Sequence, residues 1–227
     1  MPRPFLTAEW RDLALANYEV DPACLVDRVP AGVELDFHEG RCFVSLVAFK
    51  FVNTRVRGLS IPGHTDFVEV NLRFYVRRGE KRGVVFIKEI VPKRAIAWLA
   101  RTLYGEPYET WRCEATQTDY RWSRSGQSNR FALTPDSVGE LPEPGSHAEY
   151  ITEHYWGYTR RSDARTDEYR VAHPQWEHFP VKDWVIETDF VAVYGPEWAH
   201  LSQQAPFSVL FARGSEIEVY PGRQLRV

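Results

Sequence analysis

The sequence predicts a mainly-β protein of the α+β class, built as a large curved antiparallel sheet or barrel with a few peripheral helices. Three observations carry that expectation. Phe67 to Arg77 alternates strictly, with Val68, Val70, Leu72, Phe74 and Val76 on one face and Glu69, Asn71, Arg73, Tyr75 and Arg77 on the other. Strand-like runs recur along the whole chain between Gly- and Pro-bearing turns. Only one segment, Lys93 to Tyr104, has a sustained helical period. Many strands with few helices favour closure of the sheet, which removes exposed edges.

In chain order, the first clear local signal is Val20 to Val26, where Asp21 can accept from free amides and Pro22 suits a first helical position. A short helix should stop near Val29-Pro30, because a residue before proline disfavours helical geometry. Strand Val33 to Phe37, a turn at His38-Glu39-Gly40 and strand Arg41 to Phe51 read as a hairpin. Asn53 to His64 is polar, holds Gly58, Pro62 and Gly63, and reads as a loop. Strand Phe67 to Arg77, a turn at Arg78 to Gly83 and strand Val84 to Val91 form a second hairpin. Pro92 ends it, and Ile96, Leu99, Ala100 and Leu103 then form the stripe of the main helix, with Gly105 as its stop.

The second half continues with strand-like pieces in Tyr108 to Thr118, Tyr120 to Ser125 and Arg130 to Leu133, with Ser125-Gly126-Gln127 as a turn. Thr134 to Gly145, rich in Pro, Gly, Asp and Glu, reads as a surface loop within one domain spanning 1–227. Strands are expected at Ile151 to Arg160, Glu168 to Ala172 and Trp184 to Tyr194. A short helix from Pro196 to near Gln204 precedes strands Phe207 to Arg213 and Glu216 to Tyr220.

The 227 residues carry 28 basic and 31 acidic side chains, a net charge of −3, and are 44% hydrophobic. This balance offers neither nucleic acid nor an acidic membrane an electrostatic footing. No run reaches the length of a membrane span, and the start, Met1-Pro2-Arg3-Pro4, lacks a secretion signal. The three cysteines, Cys24, Cys42 and Cys113, are widely spaced, as expected of reduced thiols in the cytoplasm. Only Lys50, Lys81, Lys88, Lys93 and Lys182 are lysines, which makes each position worth inspecting.

Several residues are candidates for chemistry. The face Glu69, Asn71, Arg73 and Tyr75 fits either a solvated sheet surface or a polar cavity wall that grips a carboxylate. Lys93 follows Pro92 beside Arg94 at a helix start, where the helix dipole and the neighbouring cation both lower an amine's pKa, as a nucleophilic lysine requires. A plain surface basic pair explains the same residues. Lys88-Glu89 lies on a strand, where adjacent side chains point apart. His173 and His178 have a spacing found in zinc sites but lack companion ligands, so no metal is expected. There is no phosphate loop, no nucleophile elbow and no His-Glu-x-x-His.

The segments Leu6 to Arg11, Asn17 to Pro22, Val29 to Asp36, Gly40 to Val47, Glu69 to Val76 and Ile151 to Tyr158 together resemble the uncharacterised YqjF-like family, the domain of unknown function DUF2071, over nearly the whole chain. More distantly, the sequence resembles acetoacetate decarboxylase. That resemblance implies a β-barrel with a central cavity. Arg11, Asp21 and the Val29-Pro30 turn line up with the enzyme's opening segment, whose arginine belongs to the active-site region. Lys88 to Arg94 resembles its strand leading to Pro-Lys-Lys, which would give Lys93 the Schiff-base role and Arg94 the role of lowering its pKa. Ser45 stands where the enzyme has an early-strand glutamate, and Glu69 lies nearby without a clean match.

The function expected is a small-molecule-binding barrel for an acidic or carbonyl-bearing ligand, such as an oxo-acid. Arg11, Arg73 and Arg94 would attract the ligand's charge; Tyr75 and Glu69 would orient it. One alternative is a Schiff-base decarboxylase or aldol-type lyase that uses Lys93 and no external cofactor. The other is a structural or homo-oligomeric scaffold with a filled interior.

Overall fold

The structure is a computed structural model that describes residues 3–103 and 105–225. Met1, Pro2 and Tyr104, the last residue of the expected main helix, lie outside them. The strands are β1 (Leu6–Val20), β2 (Glu34–Leu35), β3 (Cys42–Val56), β4 (Leu59–Ser60), β5 (Phe67–Arg78), β6 (Lys81–Val91), β7 (Tyr108–Thr110) and β8 (Arg112–Ala115). They continue with β9 (Asp119–Arg124), β10 (Gln127–Pro135), β11 (Trp156–Ser162), β12 (Arg165–Ala172), β13 (His178–Glu187), β14 (Ser208–Val219) and β15 (Arg223–Gln224). Three α-helices are described: α1 (Arg94–Leu103), α2 (His147–Thr152) and α3 (Phe190–Tyr194). No helix among the described residues is long and apolar enough to cross a membrane.

The sheet curves back on itself. Its order β12-β11-β6-β5-β3-β1-β14 is closed by Val171 and Ala172 of β12 pairing with Val219 and Glu218 of β14. The N-terminal half of β14 carries instead β13, followed by β10, β9 and β8. This branch lies over the outer face of the closed part, where Trp122, Phe131 and Phe190 join Val70, Leu72 and Phe74 in one core. A second core, with Phe43, Val47, Phe49, Tyr75 and Trp176, packs on the inside. The apolar face of β5 therefore points outward into a covered core, and its polar face points inward. Most pairings are antiparallel as expected, but β11 and β7 each join β6 in parallel.

Several boundaries depart from the local sequence signals. The first strand, β1, has both faces covered over Leu13–Tyr18, so it shows no alternation to read. The expected hairpin between 33–37 and 41–51 does not form, since β2 pairs with β5 and only His38 bridges Arg41. β3 runs on to Val56 and turns through Arg57 and Gly58, both at positive φ, into β4. The segment read as a strand from Ile151 begins as α2, whose Ser146 cap accepts from Glu149 N–H, and becomes extended only at Trp156. Likewise Trp184 to Tyr194 divides at Asp189, which caps α3 through Ala192 N–H. The two closing strands are one, β14. Asp21 does cap a turn, but the turns Pro22–Cys24 and Val26–Arg28 are 3₁₀ rather than α-helical.

Candidate functional site

Glu69, Asn71 and Arg73 project from the inner face of β5 into a cavity of about 140 Å³. Trp10, Phe49, Phe51, Phe67, Ile96 and Trp176 supply much of its apolar wall. The aromatic rings interlock: Phe51 stacks on Phe67 at 4.6 Å between centroids, and Trp10 meets Phe49 edge-on at 5.4 Å. The polar end adds Glu89 from β6, Glu106 and Tyr108 from the segment beyond α1, and His154 after α2. Register brings Glu89 beside Asn71, because the two lie directly opposite each other.

The polar groups are held by specific bonds. Glu69 accepts from Asn71 Nδ2 at 3.0 Å and from the Tyr108 hydroxyl at 2.9 Å. Glu106 Oε1 accepts from Thr159 Oγ1 at 2.6 Å and from the Tyr169 hydroxyl at 3.0 Å. Glu69, Glu89 and Glu106 are 2%, 2% and 4% exposed, so desolvation penalises their charged forms. Burial pushes Glu69 up to about 7 against the pull of Asn71, Tyr108 and Arg73. It pushes Glu106 to about 7 as well. Glu89 stands well above the carboxylate range, through burial and then the charges of Glu69 and Glu106. Burial lowers His154 to about 4, so that ring is neutral at pH 7; its Nε2 lies 3.9 Å from Asp36 Oδ2.

Five buried polar atoms at this end have no hydrogen-bond partner among the described residues: Asn71 Oδ1, Arg73 Nε, Glu89 Oε2 and both ring nitrogens of His154. Arg73 donates from its terminal nitrogen to the Ile151 carbonyl at 3.3 Å and lies 5.6 Å from the Tyr75 ring. Such atoms lose their water bonds without gaining replacements, a cost that a complementary guest would relieve.

The other sequence candidates sit elsewhere. Tyr75 and Ser45 are buried and bonded to each other at 2.6 Å. Ser45 also donates to Asn17 Oδ1 at 2.6 Å, and Asn17 donates to Ser208 Oγ at 2.8 Å, which lies 2.8 Å from His147 Nε2. Arg11 is occupied by Glu9 through two bonds, at 2.8 and 2.5 Å. Arg94 is exposed at the first residue of α1, and Lys93 is half-buried just before it. Neither Lys93, Arg94 nor Arg11 belongs to the cavity wall, which has no lysine among its described residues. The sequence reading passed over Glu89, Glu106, Tyr108 and His154. Glu89 carried one usable signal, being a charged residue inside an apolar strand. Its neighbour Lys88 points the opposite way, to Glu109 at 2.9 Å. Among the described residues no group of three or more His, Cys, Asp or Glu is arranged to hold a metal ion.

A closed curved sheet around an interior cavity is the architecture this chain shares with acetoacetate decarboxylase-like proteins. Superposition agrees. The enduracididine biosynthesis enzyme MppR, in its complex with pyruvate, matches with a TM-score of 0.68 at 14% identity, over 100% of this chain and 91% of that one. An acetoacetate decarboxylase structure matches with a TM-score of 0.68 at 11% identity, over 99% and 90% of the two chains. At such identities the likeness is one of fold. The chain belongs to the family DUF2071, described as an uncharacterized conserved protein, whose model matches residues 7–216. It is also 32% identical over 158 residues to the uncharacterized protein YqjF of Bacillus subtilis (strain 168), covering 66% of this chain and 65% of that relative.

Proposed function

We propose that this protein binds a small carboxylate- or carbonyl-bearing molecule inside the closed sheet, with Arg73 as the anchor. The observation that carries the reading is the Arg73 guanidinium itself: it lines the cavity, its Nε is unbonded, and its assigned partners are a single carbonyl and a ring. A guanidinium is the donor best matched to a carboxylate, which it grips through two parallel bonds. The cavity's volume, about 140 Å³, is that of a site able to take a benzene-sized guest. Its aromatic wall suits an apolar body, with the polar groups fixing orientation. The pyruvate complex of MppR, a protein of the same fold, supports a small oxo-acid as one member of the class.

The test is calorimetric titration with a panel of short carboxylates and 2-oxo acids, against wild-type protein and Arg73→Met. Loss of a charge-assisted pair costs about 1.5–3 kcal/mol, so the variant should bind at least about tenfold more weakly. If no acid binds, or if Arg73→Met binds equally well, the reading is wrong and the interior is structural. Borohydride trapping on the same panel with Lys93→Ala separates binding from amine chemistry. Binding without a Lys93-dependent adduct is expected, and an adduct lost in Lys93→Ala would turn the site into a Schiff-base one.

A further inference from the structure

Resting on that reading, we infer that the cavity recognises α-amino acids with small apolar side chains, the ammonium group seated over Asn71 and Glu89 and the carboxylate on Arg73. The inference comes from the kind of bonding that the buried wall leaves unmade. Asn71 Nδ2 is committed to Glu69, so its free Oδ1 can only accept. Glu89 Oε2, on the directly opposite strand position, is a second unfilled carboxyl oxygen. Both residues are at least nine-tenths buried and both line the cavity. Residues directly opposite across a sheet lie about 5 Å apart, so one donor group can reach both oxygens.

Arg73 is two residues beyond Asn71 on the same face, roughly 7 Å along the strand. Its side chain is long enough to bring the guanidinium beside a group bonded at Asn71. The wall therefore presents acceptors at one point and a donor cation close by. A carboxylate and an α-substituent on adjacent atoms match that order. A 2-oxo acid satisfies Arg73 but offers Asn71 Oδ1 no hydrogen. A 2-hydroxy acid offers one, and an ammonium group offers three.

Charge points the same way. The carboxyl groups Glu69, Glu89 and Glu106 line the cavity with Arg73, while Arg161 acts on Glu106 from outside the wall. Crowding and burial keep these carboxyl groups reluctant to ionise. A zwitterion brings a cation that favours ionisation of the carboxyl cluster and an anion to Arg73, so that the buried charges then present are paired. The aromatic wall around Phe49, Phe51 and Trp176 then receives the side chain.

The experiment is a matched series that differs at one atom: valine, 2-hydroxy-3-methylbutanoate and 2-oxo-3-methylbutanoate, titrated calorimetrically into the whole chain at pH 7. Valine should bind at least about tenfold more tightly than the oxo acid, with the hydroxy acid between them. Glu89→Gln and, separately, Asn71→Leu should reduce that preference to within about threefold. Circular dichroism melts establish that each variant is folded, and the wild-type ranking stands as a test without either. An oxo acid that binds as well as valine, still through Arg73, overturns this inference and leaves the carboxylate site intact. Failure of these three acids while a shorter acid binds through Arg73 overturns this inference alone, and failure of the whole panel overturns both.

Discussion

Glu106 is the most direct handle on the carboxyl-rich interior. Burial raises its pKa from 4.5 to about 7, so the folded protein holds a proton there that the unfolded chain has released. Below pH 4.5 both states are protonated and the group costs nothing. As pH rises the unfolded state binds fewer protons, and stability falls until the folded carboxyl also ionises near pH 7. At about 1.4 kcal/mol per pH unit, the penalty grows by roughly 2–3 kcal/mol between pH 5 and pH 8. Glu106→Gln removes it with little disturbance, since Thr159 and Tyr169 both bond to Oε1, which glutamine retains. It also relieves Glu89, whose carboxyl the Glu106 charge helps to hold up. Urea unfolding at both pH values should find the variant close to wild type at pH 5 and about 2–3 kcal/mol more stable at pH 8. A difference that is the same at both pH values would refute the desolvation argument for this cluster.

Three further outcomes are expected. Gly83→Ala should destabilise the protein by about 1–3 kcal/mol in urea titrations, because a Cβ there would meet the Trp156 carbonyl at 2.5 Å across the parallel β6–β11 join; an unchanged midpoint would contradict that packing. Cys42 and Cys113, pushed by burial up to about 11 and about 12, should react with a thiol reagent at pH 8 far more slowly in native than in unfolded protein. Rapid native labelling of Cys42 would show that the β3 interior is open. Tyr75→Phe should cost about 1 kcal/mol, the value of one buried hydrogen bond, since Ser45 keeps its bond to Asn17. A loss well above that would mean the buried chain acts as a unit.

The amino-acid order was most informative where one face of a strand is polar and the other apolar. The alternation of Phe67 to Arg77 and the helical stripe after Pro92 both correspond to real elements, β5 and α1. It was least informative where both faces are covered, as in β1, or where a cap redirects the chain within an apolar run, as at Ser146 and Asp189. The site divides in the same manner. Glu69, Asn71 and Arg73 share a face by their spacing alone, whereas Glu89, Glu106, Tyr108 and His154 join them from segments far apart in the chain.

By itself, the sequence determined the mainly-β class and grouped the polar residues of β5 on one side, because side-chain direction along a strand has a strict period of two. It left open whether that side met water or the interior, since the local pattern of a solvated face and of a polar cavity wall is the same. Tertiary structure decided it. Pairing of β12 with β14 closes the sheet, and the branch from β13 to β8 covers the apolar outer face. With that face already buried, Glu69, Asn71 and Arg73 are turned inward, where low polarity and missing partners make them groups able to bind.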